Sequence, residues 1–162
     1  MVFGPWSHGD WSRTNERQAI GNVYFGDGIS DDFQKNYETR FFNHFLKNDG
    51  KGDLDLPEAS MYDTGAREWD SYTEWPAATT EKVSYFLGEN QTLTQKADPT
   101  YANSFVSDPS KPVPYSEDIK MVFTPRKYMT DDQRFAARRP DVLVFETPVL
   151  TEDMTLSGEI LA

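Results

Sequence analysis

The sequence predicts a mainly β chain that begins with a helical segment. Three observations carry this. Over about residues 31–48 large apolar side chains recur every four positions; beyond Asp53 no second helical period of useful length follows; and the remainder breaks into short alternating runs divided by turn residues.

Met1-Val2-Phe3 reads as the end of a buried strand that runs directly into Gly4-Pro5. The helix over Asp31–Asn48 follows from Phe33, Tyr37, Phe41 and Phe45, widened by Phe42 and Leu46. Ser30 is placed to cap it, Asp31 and Asp32 suit the positive end of its dipole, and Lys47 with Gly50 suits its exit. Its aromatic face is expected to be core. Strand candidates after it are 59–63, 69–75, 83–87, 104–106, 121–123, 142–146 and 155–160. Val83, Tyr85 and Leu87 alternate with polar neighbours before Gly88-Glu89-Asn90-Gln91, which predicts a hairpin returning through Thr92-Leu93-Thr94. Three prolines between positions 109 and 114 predict a stiff, extended surface loop over 107–115. Arg138-Arg139-Pro140-Asp141 then punctuates the approach to Val142-Leu143-Val144-Phe145.

Charge narrows the function. The chain has 162 residues, with 16 Lys and Arg against 27 Asp and Glu, a formal charge of −11. A phosphate backbone is engaged by clustered cations that displace counterions, and the densest basic spot is only Arg134, Arg138 and Arg139. Neither a nucleic acid nor an anionic membrane is an expected partner. Hydrophobic residues at 37% and aromatics at 14% are too abundant for a disordered chain. No apolar run approaches the roughly 18–20 residues of a membrane span, and no signal peptide is visible after Met1. With no Cys and two His, neither a thiol nucleophile nor a zinc site is expected, and no cofactor is implied. Length alone fits one domain, but Met1–Phe3 and the alternating run 154–161 place both ends inside strand-like segments. The expectation is a fragment of a larger protein.

His8 is the first candidate for chemistry. It lies in Gly4-Pro5-Trp6-Ser7-His8-Gly9-Asp10-Trp11, just past an apparent strand end, where α/β enzymes present a general base to a crevice. A surface or cap histidine is the plainer alternative. His44, between Asn43 and Phe45, belongs near the edge of the helix. Gly-x-Ser-x-Gly does not occur, and Ser7 and Ser12 are too close to His8 in sequence to meet triad geometry easily. The phosphate-binding glycine patterns are absent too. The acidic stretch Asn48–Asp55 fails calcium-loop spacing, with Lys51 at a would-be ligand position, and reads as a solvated linker. Asn90-Gln91-Thr92 fits a glycosylation sequon, a tripeptide common by chance. Trp69, Tyr72 and Trp75 could stack on sugars; core or interface packing is the stronger reading, with Trp69 and Trp75 on one face of a continuous strand.

Five segments in order resemble one family, the serine hydrolases that include cocaine esterase, X-Pro dipeptidyl peptidase and the α-amino acid ester hydrolases, also called glutaryl-7-aminocephalosporanic acid acylases. Gly4-Pro5-Trp6-Ser7-His8-Gly9 resembles the family's histidine loop, and Phe41-Phe42-Asn43-His44-Phe45-Leu46-Lys47 the helix that closes its hydrolase domain. Thr64-Gly65 through Trp75-Pro76 resembles the opening of its C-terminal jelly roll. Phe105–Tyr115 and Asp132-Gln133-Arg134-Phe135 through Arg139-Pro140-Asp141-Val142-Leu143-Val144-Phe145 are similar to the α-amino acid ester hydrolase branch.

The resemblance implies a fold class and a role. Residues 1–52 would be the tail of an α/β-hydrolase domain, with the histidine loop and final helix; residues 53–162 would be part of a jelly roll, a galactose-binding-like sandwich. His8 would be the histidine of a Ser-His-Asp triad whose serine and aspartate are upstream. The parent would cleave or transfer α-amino acyl esters or amides, a small-molecule substrate, and the family suggests export to the periplasm or medium. The isolated chain is expected to be inactive and, with an incomplete sheet, to self-associate. The alternative is a noncatalytic β-sandwich module that binds carbohydrate or protein.

Overall fold

The computed structural model describes residues 1–13, 18–47, 50–51, 53–118 and 126–161. They fall into two compact units, Met1–Ala78 with Phe123–Thr130, and Thr79–Val122 with Asp131–Ala162.

In the first unit β1 (Val2–Phe3) pairs in parallel with β4 (Ala59–Asp63), and β4 pairs antiparallel with β5 (Glu68–Tyr72), giving a mixed sheet ordered β1-β4-β5. Val2 faces Ser60 and Phe3 faces Met61. Burial differs from expectation here: Phe3 is 58% exposed, so β1 is a strand but not a buried one. The β4–β5 turn is built on Asp63, whose Oδ1 accepts the Gly65 and Ala66 N–H groups at 2.7 and 2.8 Å. That Asx turn lets Arg67 enter β5 from a left-handed conformation, φ 62. Arg67 then lies over the Tyr24 ring at 5.5 Å.

The expected strand 69–75 ends at Tyr72. Trp75 instead sits in a bend before a cis Pro76, its ring against the edge of Tyr72 at 5.1 Å. Proline withholds a ladder donor, so the two tryptophans do not share one strand face. A hairpin the sequence reading passed over joins β2 (Ala19–Ile20) to β3 (Val23–Tyr24), with Gly21 at φ 59 in its two-residue loop. Gly-Asn between short apolar pairs is a recognisable hairpin signal.

The predicted helix is present as α1 (29–47), with α turns at Ile29–Phe33 and Thr39–Phe42 alternating with π turns at Gln34–Glu38 and Asn43–Lys47. A strict four-residue repeat drifts about 40° per step around an α-helix. The wider π turns oppose that drift and keep Phe33, Tyr37, Phe41 and Phe45 nearer one line. Ser30 does not cap the helix. It lies inside the first turn, fully buried, and Gly28 at φ 71 takes the cap position. At the exit Gly50, φ 71, donates its N–H to the His44 carbonyl at 3.0 Å; residues 48, 49 and 52 of the acidic linker lie outside the described residues. Only the N-terminal half of the aromatic face is packed. Phe33 and Tyr37 stack on each other at 6.2 Å, whereas Phe41, Phe42, Phe45 and Leu46 are 46–74% exposed, so the expectation of an all-core face fails for that half.

In the second unit β6 (Phe86–Leu87) and β7 (Leu93–Thr94) form the predicted hairpin, shorter at its start than 83–87. Asn90 and Gln91 occupy left-handed conformations at φ 56 and 60, and the Thr92 N–H closes the turn on the Glu89 carbonyl at 3.2 Å. Asparagine tolerates that conformation, which accounts for Asn90 without a glycan. A Cβ on Gly88 would stand 2.8 Å from Thr92 Oγ1, so a larger residue in the hairpin neck would have to displace the Thr92 side chain.

Residues 104–106, 142–146 and 155–160 form no strand; of them only Glu146 makes a bridge, with Thr92, flanked by its N–H donating to the Gln91 carbonyl and its carbonyl accepting from Leu93. A strand-like run becomes a strand only where a continuous ladder partner exists, and beyond the single Glu146 bridge these runs have none among the described residues. The candidate at 121–123 lies outside the described residues. The loop 107–115 is exposed and without strand or helix, as its prolines predict, and Asp108 Oδ1 accepts both the N–H and the hydroxyl of Ser110. The short helix α2 (Arg134–Ala137) buries Ala136. Around it Arg134 pairs with Asp132 and Arg139 with Asp141, so two of the three arginines in the basic spot are neutralised locally.

Candidate functional site

His8 projects from the turn that follows β1, and it is exposed. Its neighbours are held firmly. Ser7 is 3% exposed and Asp10 4%, and the Ser7 hydroxyl donates to the Asp10 carboxylate. The Asp10 N–H returns to the Ser7 carbonyl at 3.1 Å, and Gly9 takes φ 70 to let the chain close. Among the described residues no hydrogen bond or ion pair engages the His8 ring. The arrangement is a free imidazole on a braced turn.

Trp6 supplies the brace from the other side. Its Nε1–H donates to Ser30 Oγ at 3.0 Å, across 24 residues of sequence. The ring packs against Phe33 at 5.0 Å, Trp69 at 5.8 Å and Trp11 at 6.1 Å. It also lies so closely over Gly4 that a Cβ there would stand 2.0 Å from it. Gly4 and Trp6 are therefore parts of one device: glycine admits the indole, and the indole packs over the turn. Trp69 in turn meets Tyr62 at 5.3 Å and Tyr37 at 5.4 Å, which makes it the hub of an aromatic cluster. These are packing contacts, as the core or interface reading of Trp69 expects. Tyr62 adds a bond from its hydroxyl to the Phe25 carbonyl at 2.8 Å, and burial raises its phenol above the usual range.

The other candidates separate from His8. The Ser7 hydroxyl is buried and committed to Asp10, and Ser12 Oγ donates to the Gly9 carbonyl at 3.1 Å, so neither hydroxyl is poised as a nucleophile. His44 lies on α1, its ring edge-on to Phe45 at 4.7 Å. Among the described residues no group of three or more His, Asp or Glu could hold a metal ion, and no helix is long and apolar enough to cross a membrane. A cleft of about 540 Å³ opens between β1 and α1, lined chiefly by Phe3, Trp6, Phe33, Tyr37, Phe41 and Phe42. His8 does not line it.

Comparison with known proteins identifies the family. The family model for the X-Pro dipeptidyl-peptidase C-terminal non-catalytic domain matches residues 53–162. The chain belongs to that family. Cocaine esterase of Rhodococcus sp. (strain MB1 Bresler) is 27% identical over 174 residues, covering 100% of this chain and 29% of the esterase. An α-amino acid ester hydrolase of known structure is 30% identical with a TM-score of 0.75, covering 93% of this chain and 26% of that one. The crystal structure of an aminopeptidase from the marine sediment archaeon Thaumarchaeota archaeon is 32% identical with a TM-score of 0.73, covering 88% and 23%. This member of the X-Pro dipeptidyl-peptidase C-terminal domain family thus spans under a third of the length of each relative, and the resemblance read from its five segments is borne out. The matched domain is a non-catalytic one, and the relatives are hydrolases.

Proposed function

We propose that this chain is the histidine-bearing portion of a serine hydrolase that cleaves or transfers α-amino acyl esters or amides. The observation that carries the reading is His8, an exposed imidazole engaged by none of the described residues, on a turn fixed on both sides, shortly after a strand. That is what a general base needs: a ring free to meet a reacting hydroxyl, on a backbone that does not move. Residues 1–52 then complete an α/β-hydrolase domain and residues 53–162 begin a jelly roll. The cleft between β1 and α1 and the exposed Phe41, Phe42, Phe45 and Leu46 support a face covered by further protein.

In the complete enzyme His8 takes the proton of a serine hydroxyl as its oxygen bonds to the substrate carbonyl carbon. The tetrahedral intermediate collapses, the C–O or C–N bond of the ester or amide breaks, and His8 returns the proton to the leaving alcohol or amine. Water, or an acceptor amine, then attacks the serine ester with His8 again as base. The nucleophile and the triad carboxylate are supplied by residues outside these 162. Alone, the chain is inactive and self-associates through its exposed apolar segments, which include Val149, Leu156 and Ile160 at 75–92% exposure.

A fluorophosphonate, which modifies only a base-activated serine, tests the reading by intact mass. The complete protein is expected to take one adduct and this chain none. A stoichiometric adduct on this chain would mean that Ser7 or Ser12 is its own nucleophile, contrary to the proposal.

A further inference from the structure

We propose that Trp6 and Ser30 are positioning residues for His8, acting as a clamp that fixes the histidine turn to the first turn of α1. The inference rests on the reading of His8 as the general base. Ser30 stands where sequence reasoning expects a helix cap, yet it makes no capping bond and has no exposed surface. Its Oγ instead accepts the Trp6 indole N–H at 3.0 Å. A buried hydroxyl costs free energy unless it is bonded, so Ser30 is explained by this contact and by nothing at the helix terminus.

The geometry has a direction. Trp6 is two residues before His8, and its ring is wedged between Gly4 on one side and Phe33, Trp11 and Trp69 on the other. Packing fixes where the indole lies. The bond to Ser30 fixes its rotation within that pocket, because only one edge of the ring carries a donor. Across His8, the Ser7–Asp10 pair and the Asp10 N–H to Ser7 carbonyl bond close the turn. The His8 ring has no partner of its own among the described residues, so its orientation is inherited from the backbone these contacts hold. A misplacement of about 1 Å in a reacting group can cost about 100-fold in rate, which is why a bond two residues away matters to chemistry.

The test uses the complete protein, with turnover expressed per active site titrated by fluorophosphonate, so that loss of folded enzyme does not count as loss of rate. Trp6→Phe and Ser30→Ala are each expected to lower kcat about tenfold with KM within twofold. The double variant is expected to fall no further than the worse single one, since both remove the same bond. Incorporation of β-(3-benzothienyl)alanine at position 6 keeps the ring shape and deletes only the N–H; it is expected to match Ser30→Ala. In the 162-residue chain the Trp6 indole proton is expected to be protected from solvent exchange and to lose that protection in Ser30→Ala. Unchanged kcat per titrated site in both Ser30→Ala and the benzothienyl variant would overturn the clamp while leaving His8 as base. Retained turnover in His8→Ala would overturn the underlying reading, and the clamp with it.

Discussion

Replacing Trp69 with alanine separates its packing role from a ligand-binding one. The ring meets Tyr62 at 5.3 Å, Tyr37 at 5.4 Å and Trp6 at 5.8 Å, all at the tilted or edge-on angles aromatic pairs favour. Each such pair contributes about 0.5–1.5 kcal/mol beyond area burial, and a fully buried large aromatic costs about 3–5 kcal/mol to truncate. Trp69 is only partly buried, so the loss should sit near the lower bound of truncation, about 3 kcal/mol. At a urea dependence of about 2 kcal/mol per molar, the unfolding midpoint should fall by about 1.5 M. Circular dichroism is the readout, because tryptophan fluorescence changes with the substitution itself. The Trp6 indole proton should also exchange faster, since Trp69 forms one wall of its pocket. A midpoint shift under about 0.3 M, together with saturable quenching of wild-type fluorescence by a sugar, would refute the packing account and restore a carbohydrate-binding face.

Three further outcomes follow from single groups. Ser60 Oγ is fully buried and finds no hydrogen-bond partner among the described residues, so Ser60→Ala should be neutral or stabilising by up to about 1 kcal/mol in urea unfolding; a loss of that size would show a missed partner. Burial raises the Tyr62 phenol, with Arg67 opposing, so its contribution to stability is complete below about pH 10 and is lost as pH climbs through the raised value. Tyr62→Phe should therefore cost about 1 kcal/mol at neutral pH through its bond to Phe25, yet narrow its deficit in alkali; a deficit constant with pH would contradict the shift. Hydrogen bonding to Arg139 holds the Asp141 carboxyl below its usual range, so the pair's support is present above about pH 4 and fades as pH falls through the depressed value. Arg139→Ala should bring Asp141 back toward that usual range in an NMR titration of its carboxyl carbon, and an unmoved titration would exclude the ion pair as cause.

Local signals proved legible and partnered ones did not. The Ala59–Asp63 strand and the hairpin around Asn90 were readable because alternation and turn residues lie within a few positions of each other. The four-residue stripe located α1, but the π turns that straighten it came only with the backbone. β1 pairs with residues 58 positions further along the chain, Val2 with Ser60 and Phe3 with Met61, and no local pattern encodes a parallel partner. For the same reason the apolar run 142–146 and the alternating run 155–160 have strand character without becoming strands. At the proposed site, the Gly and Pro context singles out His8, whereas the bond from Trp6 to Ser30 has no signal in the sequence. Ser before Asp-Asp is the usual signature of a helix cap, and only the indole lying against it reveals the other use. Trp75 was misplaced because the bend before Pro76 outweighs a favourable aromatic spacing.

The most direct test of the central claim is ester turnover by the complete protein carrying His8→Ala, with His44→Ala as the control histidine. The account predicts a loss of at least ~10⁴-fold in kcat for His8→Ala, the scale on which removal of a triad member acts, and a change within twofold for His44→Ala. Turnover in His8→Ala within tenfold of wild type would contradict it.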